Sequence, residues 1–201
     1  MTKYGFRDNS ITTKKLMVKG LMPVQYVIED AVVISTSALL SGYDLATKGT
    51  SAIDNTIISV QPPYPSKLRF QFGSSAKVST NTLTVVGIDA SGETVTDSIA
   101  CPQTLGSTVD TSNAYGRITS ITSNAVSDSD DVSLGYSTTI GLPYPLASTG
   151  DILTYTTDST AGTSYNKTGG LTIDKAYDTL ILPTLTAGST VTILYLTQVQ
   201  E

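Results

Sequence analysis

The stretch from Leu83 to Ala100 reads LTVVGIDASGETVTDSIA. Its two halves, Leu83 to Ile88 and Glu93 to Ala100, are rich in β-branched residues that favour a pleated, half-buried backbone. Between them lies Asp89-Ala90-Ser91-Gly92, a four-residue connection with glycine at its end. That is the composition of a hairpin loop built around a type I turn, so the stretch predicts an antiparallel β-hairpin.

Outward from the hairpin the same period recurs. Leu68-Arg69-Phe70-Gln71-Phe72 places three large apolar side chains on one face and polar ones on the other, the alternation of a half-buried strand. Val132, Leu134 and Tyr136 repeat it. In Arg117 to Ser123 (RITSITS), Ile118 and Ile121 stand three apart, which predicts a bulge. Val24 to Leu40 reads as two strands joined at the acidic pair Glu29-Asp30; a short helix over Ala31 to Leu40 is the alternative, opposed by the β-branched run Val32, Val33, Ile34. Gly42 to Asn55 reads as a loop, and Thr56 to Val60 as a strand stopped by Pro62-Pro63. Further strands are expected over Asp151 to Thr157, Leu171 to Asp174, Tyr177 to Leu182 and Thr190 to Val199. In the last, Val191, Ile193, Tyr195 and Val199 share a face while Leu194 and Leu196 occupy the other. A strand apolar on both faces has to be covered twice, which makes Leu194 and Leu196 candidates for contact with a sister copy.

About ten short strands separated by turn signals predict an all-β chain, an antiparallel sandwich or barrel. The expected organisation is an extended arm over residues 1–22, a β-sandwich over 23–145, and C-terminal strands over 146–201 that complete the sandwich or form a small subdomain, with a break near Leu142 to Pro145.

Charge is distributed unevenly. Of twelve basic residues, Lys3, Arg7, Lys14, Lys15 and Lys19 fall in the first twenty positions beside one acid, Asp8; the rest of the 201-residue chain holds seven bases against sixteen acids. A basic arm on an acidic body can dock onto an acidic surface of a neighbour by Coulombic attraction, and these five residues are the candidate partner-binding set. The competing reading is a terminus whose charges serve only solubility.

The chain has no histidine, no tryptophan and a single cysteine, Cys101, against 24 Ser and 33 Thr. Proton shuttling near neutral pH falls mostly to His, and zinc sites and nucleophile–base pairs draw on His and Cys, so the expectation is that the chain is not an enzyme. No glycine-rich phosphate loop, dinucleotide fingerprint or Cys-x-x-Cys pair occurs, and no cofactor is expected. Asp128, Asp130 and Asp131 are a weak candidate for calcium, which takes six to eight oxygen ligands; the segment lacks the glycine and glutamate of an EF-hand loop. Two Ser-x-x-Lys pairs, Ser74 with Lys77 and Ser164 with Lys167, have no partner motifs and read as chance. Asn166-Lys167-Thr168 fits a glycosylation sequon. Cys101 before Pro102 reads as a small core residue, and Tyr64 and Tyr144, each beside prolines, as either core or contact residues. No apolar run long enough to span a bilayer is present, the polar segment after Met1 does not read as a secretory signal, and only the arm offers the basic surface that nucleic acid would need.

The segments LTVVGIDASGETVTDSIACP, STVDTSNAYGRITSITSN and DDVSLGYSTTIGLPYPL, between Leu83 and Leu146, resemble a pattern in structural proteins of tailed bacteriophages. The shared features are a strand ending in Gly-x-Asp, a glycine turn, an acid-containing return strand ending in Ile-Ala, an aromatic before an Ile-Thr-x-Ile-Thr strand, then Val-Ser-Leu-Gly and Gly-Leu-Pro. The resemblance covers about a third of the chain and implies an immunoglobulin-like or jelly-roll-like sandwich on a virion. It also implies a particle component without fixing which one; taken with the basic arm and the doubly apolar last strand, the reading is a capsid decoration or cement protein, with a tail or head–tail connector component as the alternative. The expected partners are the major capsid protein or other virion proteins and further copies of the chain, a trimer among the arrangements, with neither membrane nor nucleic acid. Assembly in the host cytoplasm followed by exposure on the released virion fits a Ser/Thr-rich chain that carries no secretory signal. A carbohydrate-binding adhesin-type sandwich is the third reading.

Overall fold

The computed structural model describes residues 20–44, 53–54, 58–73, 82–102, 104, 106–124, 131–158, 164–166, 171–183 and 185–198. Among them the regular secondary structure is almost entirely strand: β1 (Leu21–Ala31), β2 (Ser35–Asp44), β3 (Ile53–Asp54), β4 (Ser66–Phe72), β5 (Thr82–Ile88), β6 (Thr94–Ala100), β7 (Thr108–Tyr115), β8 (Arg117–Ser123), β9 (Asp131–Gly141), β10 (Ile152–Asp158), β11 (Ser164–Asn166), β12 (Thr172–Asp174), β13 (Thr179–Ile181) and β14 (Ser189–Gln198). One 3-10 turn, Thr149–Asp151, leads into β10, with the Ser148 hydroxyl accepting from the Gly150 N–H.

The strands pair antiparallel in three sheets. The first runs β1-β14-β10-β11, the second β12-β13-β9-β4-β7 with β2 also beside β9, and the third β3-β8-β5-β6. Two apolar cores lie between them. One joins Leu68, Phe70 and Phe72 of β4 and Leu134 of β9 to Leu83 and Val85 of β5 and Ile118 and Ile121 of β8. The other joins Ile140 of β9 and Leu180 of β13 to Val24 and Ile28 of β1, Tyr155 of β10, and Val191, Ile193 and Tyr195 of β14. The second sheet is therefore shared: the start of β9 faces one core and its end faces the other, which gives an all-β sandwich architecture with the central sheet covered at both ends. β1 begins with Leu21 and Met22 of the 1–22 portion, continues through Ala31 of the 23–145 portion, and pairs with β14 from the 146–201 portion, so the portions interleave.

The hairpin forms as its sequence demands, with Leu83 opposite Ile99 and Ile88 opposite Thr94. β4 alternates buried and half-buried along its whole length. In β8 the pairing steps from Val86–Ser120 to Gly87–Ile118, leaving Thr119 as the extra residue; the bulge turns both Ile118 and Ile121 inward, which resolves the spacing of three.

Three expectations are corrected. Glu29-Asp30 does not join two strands: β1 continues to Ala31, the register shifts between Ile28 and Ala31, and Asp30 sits at φ 52°. The pair forms a bulge, because Asp tolerates the left-handed region, and the turn falls at Val32 to Ile34. Gly42 to Asp44 extends β2, and Ile53–Asp54 pairs with β8, so Gly42 to Asn55 is not wholly loop. Ile58 to Val60 is not strand; Ile58 is buried in the first core beside the third sheet. β7, which no local pattern announces, is held by β4 and by Asp97 of β6.

Candidate functional site

Where the three sheets meet, a cleft of about 620 Å³ opens. Its acidic wall is the β5–β6 loop. Asp89 folds that loop around its own Oδ1, which accepts from the Ser91 N–H at 2.8 Å, the Ser91 hydroxyl at 2.7 Å and the Glu93 N–H at 2.9 Å, while Gly92 takes the φ of 91° that closes the turn. Asp89, Ser91 and Glu93 thereby border the cleft.

The opposite wall is the β12–β13 turn. The Asp174 carboxylate accepts from the Ala176 N–H at 3.2 Å, and Asp178, at φ 47°, turns the chain into β13 and presents Tyr177 and its own carboxylate. Tyr177 is braced by Lys67, whose Nζ lies 5.4 Å from the ring centroid and 3.4 Å from Asp174.

Gly141 to Pro145 forms the floor and rim. Leu142 and Leu146 are anchored in the second core, which lifts Tyr144 between them to 48% exposure, close to the 41% of Tyr177. The Leu142 N–H donates to the Asp178 carbonyl at 2.9 Å and the Tyr195 hydroxyl to the Tyr144 carbonyl at 3.2 Å, so the rim is tied to both neighbouring elements. Gly141 is required at the floor: a Cβ there would lie 2.8 Å from the Ala114 Cβ.

Behind the cleft stands a buried polar staple. Asp97 accepts from the Tyr115 hydroxyl at 2.9 Å, the Ser112 N–H at 3.2 Å, and the Asn113 N–H and side-chain amide at 3.0 and 3.2 Å. Asn113, a lining residue, is thereby held from beneath.

The electrostatics are one-sided. Asp89, Glu93 and Asp178 line the cleft, and no lysine or arginine does. Among the described residues the ion pairs are Lys67–Asp174 and Arg69–Asp110, which leave those three acids uncompensated. Burial, reinforced by the charge of Asp89, pushes the Asp178 carboxyl up from its ordinary value. Burial likewise raises the Tyr195 hydroxyl to about 12. Like charges that line one cleft raise each other's cost of ionisation, and the exposed Tyr144 ring stands at its rim.

Comparison with protein families, with curated proteins and with solved structures gives no match.

The residues singled out from sequence fall elsewhere. Lys3, Arg7, Lys14, Lys15 and Lys19 lie outside the described residues, as do Asp128 and Asp130; Asp131 starts β9, where its carbonyl accepts from the Gly73 N–H at 2.7 Å. Among the described residues no three potential metal ligands come together. Leu194 and Leu196 are half-buried on the face of β14 opposite Val191, Ile193 and Tyr195. In register with them stand Gln25, Pro23 and Thr154, and Val27 and Leu153 are exposed on the same sheet. Cys101 and Tyr64 are core, and Tyr144 is a surface residue. Asp89, Glu93, Asp178 and Tyr177 were not marked as site residues by sequence. Asp89 read there only as turn chemistry and Glu93 as the start of a strand, and the cue that could have found them is the count of acids around turns that carry no nearby base.

Proposed function

We propose that this chain is a structural component of a bacteriophage particle, foremost a capsid decoration or cement protein that acts by protein–protein contact. The observation that carries the reading is the outward face of the first sheet. The half-buried Leu194 and Leu196 of β14 lie beside Pro23 and Gln25 of β1, with exposed Val27 and Leu153 on the flanking strands, and a strand apolar on both faces calls for a second covering layer. The resemblance of Leu83 to Leu146 to virion proteins supplies the setting. Contacts that are weak singly become effectively intramolecular when repeated on a lattice. The partners in this reading are the major capsid protein and sister copies.

Purified particles test it. Wild-type chain is expected at hundreds of copies per particle, and a Leu194→Asp/Leu196→Asp variant, folded by circular dichroism, at several-fold lower occupancy. Undiminished occupancy of that variant removes the role of this face, and a few to a dozen copies per particle moves the assignment to a tail or connector component.

A further inference from the structure

We propose that the acidic cleft between the three sheets is the docking site for the chain's own basic N-terminal segment, residues 3–19, with lysine or arginine side chains seated among Asp89, Glu93 and Asp178. The inference goes beyond the particle reading and does not depend on it.

Charge complementarity is the first argument. The cleft gathers three carboxylates, each without an ionic partner among the described residues and without a lining base, while residues 1–20 hold five bases against one acid. An anionic ligand is repelled there, and a neutral one leaves the repulsion between Asp89 and Asp178 in place. An ammonium or guanidinium group relieves it, and an approach to the exposed ring of Tyr144 adds cation–π attraction.

The second argument is where the described chain begins. Met22, the second residue of β1, itself lines the cleft, as does Gln198 at the end of β14. Lys19 is three residues away from Met22, within about 10 Å at roughly 3.4 Å per residue, and Lys14 and Lys15 are within about 30 Å on the same measure. A ligand tethered this closely experiences an effective concentration in the millimolar range, so in dilute solution the segment of the same copy is the occupant.

The test uses the full chain at low micromolar concentration, treated with a zero-length carbodiimide that joins amines to carboxylates in contact, then digested and mapped by mass spectrometry. Links from Lys14, Lys15 or Lys19 to Asp89, Glu93 or Asp178 are expected to exceed links to the other acids several-fold. They should fall several-fold between 0.01 M and 1 M salt, as the screening length shrinks from about 30 Å to about 3 Å. The Asp89→Asn/Asp178→Asn variant keeps the oxygen that folds the β5–β6 loop and leaves Glu93 as a reporter carboxylate; with its circular dichroism unchanged, its links from Lys14, Lys15 or Lys19 to Glu93 should fall several-fold. The proposal is overturned if the links are absent, spread evenly over all acids, or unchanged in that variant. It is equally overturned if the cleft binds a neutral glycan on an array in a Tyr144-dependent manner while the links are missing. Particle occupancy is read separately, so failure of the virion reading and failure of this one are distinguishable.

Discussion

Asp97 is the most informative residue to perturb. It sits on β6, an edge strand of the third sheet, and its carboxylate, 8% exposed, receives four donors from Ser112, Asn113 and Tyr115 on β7, an edge strand of the second. One side chain thus stitches two sheets along a margin where no backbone ladder joins them. In Asp97→Ala the acceptor vanishes and the donors stay. Each hydrogen bond to a charged acceptor contributes about 1.5–3 kcal/mol, and a buried donor left unmade costs about 1–3 kcal/mol. The terms do not add, because Asn113 supplies two donors to one oxygen and the Tyr115 hydroxyl keeps the Val85 carbonyl at 3.4 Å as a fallback. A net loss of about 3–5 kcal/mol is expected, which places the substitution among the broken buried networks. For a chain of this length each kcal/mol moves Tm by about 2–4 °C, so a fall of about 10 °C is the expected reading. Urea unfolding of the wild type, Asp97→Ala, Tyr115→Phe and the double variant, followed by circular dichroism, checks it. Tyr115→Phe alone should cost about 1–2 kcal/mol, and the double variant should cost clearly less than the sum. A loss below about 1 kcal/mol for Asp97→Ala, or strict additivity in the cycle, refutes the staple.

Other expectations are simpler. Gly87→Ala should destabilise by about 2–4 kcal/mol, since the new Cβ would run into the Arg117 carbonyl oxygen and lie 2.6 Å from the Tyr115 ring; thermal denaturation reads it directly. Thr179→Val should stabilise by about 1 kcal/mol, because the fully buried Thr179 hydroxyl has no hydrogen-bond partner among the described residues and a methyl group removes that penalty; an unchanged or lower urea midpoint contradicts it. Stability should decline in alkali. Burial raises the hydroxyls of Tyr26 and Tyr195 to about 12, and those of Tyr64, Tyr115 and Tyr136 are raised as well. Their stabilising effect is complete below pH 10, where the unfolded chain also keeps them protonated, and is lost as pH rises through the folded values. Tyrosinate absorbance titrated against circular dichroism should show part of the tyrosines ionising only as the fold opens, and early ionisation of all eleven with the fold intact is the contrary result.

Elements whose information is local could be read in advance. The β5–β6 hairpin is written in an Asp-x-x-Gly loop between β-branched runs, and β4 in an unbroken apolar alternation, because period two and turn chemistry need only neighbours in sequence. The bulge at Thr119 was legible from the spacing of Ile118 and Ile121 for the same reason. β7 was not. Its residues, TVDTSNAY, contain few apolar side chains in alternation, and its strand state depends on pairing with β4 some forty residues earlier and on the carboxylate of Asp97. The Glu29-Asp30 pair misled in the opposite direction. Polar residues signal turns on average, but here continued pairing of Ala31 with Ser189 kept the strand going and confined the pair to a bulge.

By itself the sequence determined that the chain is β, that it folds as antiparallel sheets around alternating apolar faces, that β14 is apolar on both sides, and that positive charge is concentrated at one end. These follow from residue type and short spacing. Tertiary structure decided that β1 closes onto β14, that one central sheet serves two cores, and that Met22, Asp89, Glu93, Asn113, Tyr144, Tyr177 and Asp178 border a single cleft. Those residues span more than 150 positions of chain, and only the strand order brings their turns to one place. The physical reason is that side-chain chemistry acts through a few ångströms of space, whereas the pairings that create such proximity depend on long-range burial, which no local window of sequence contains.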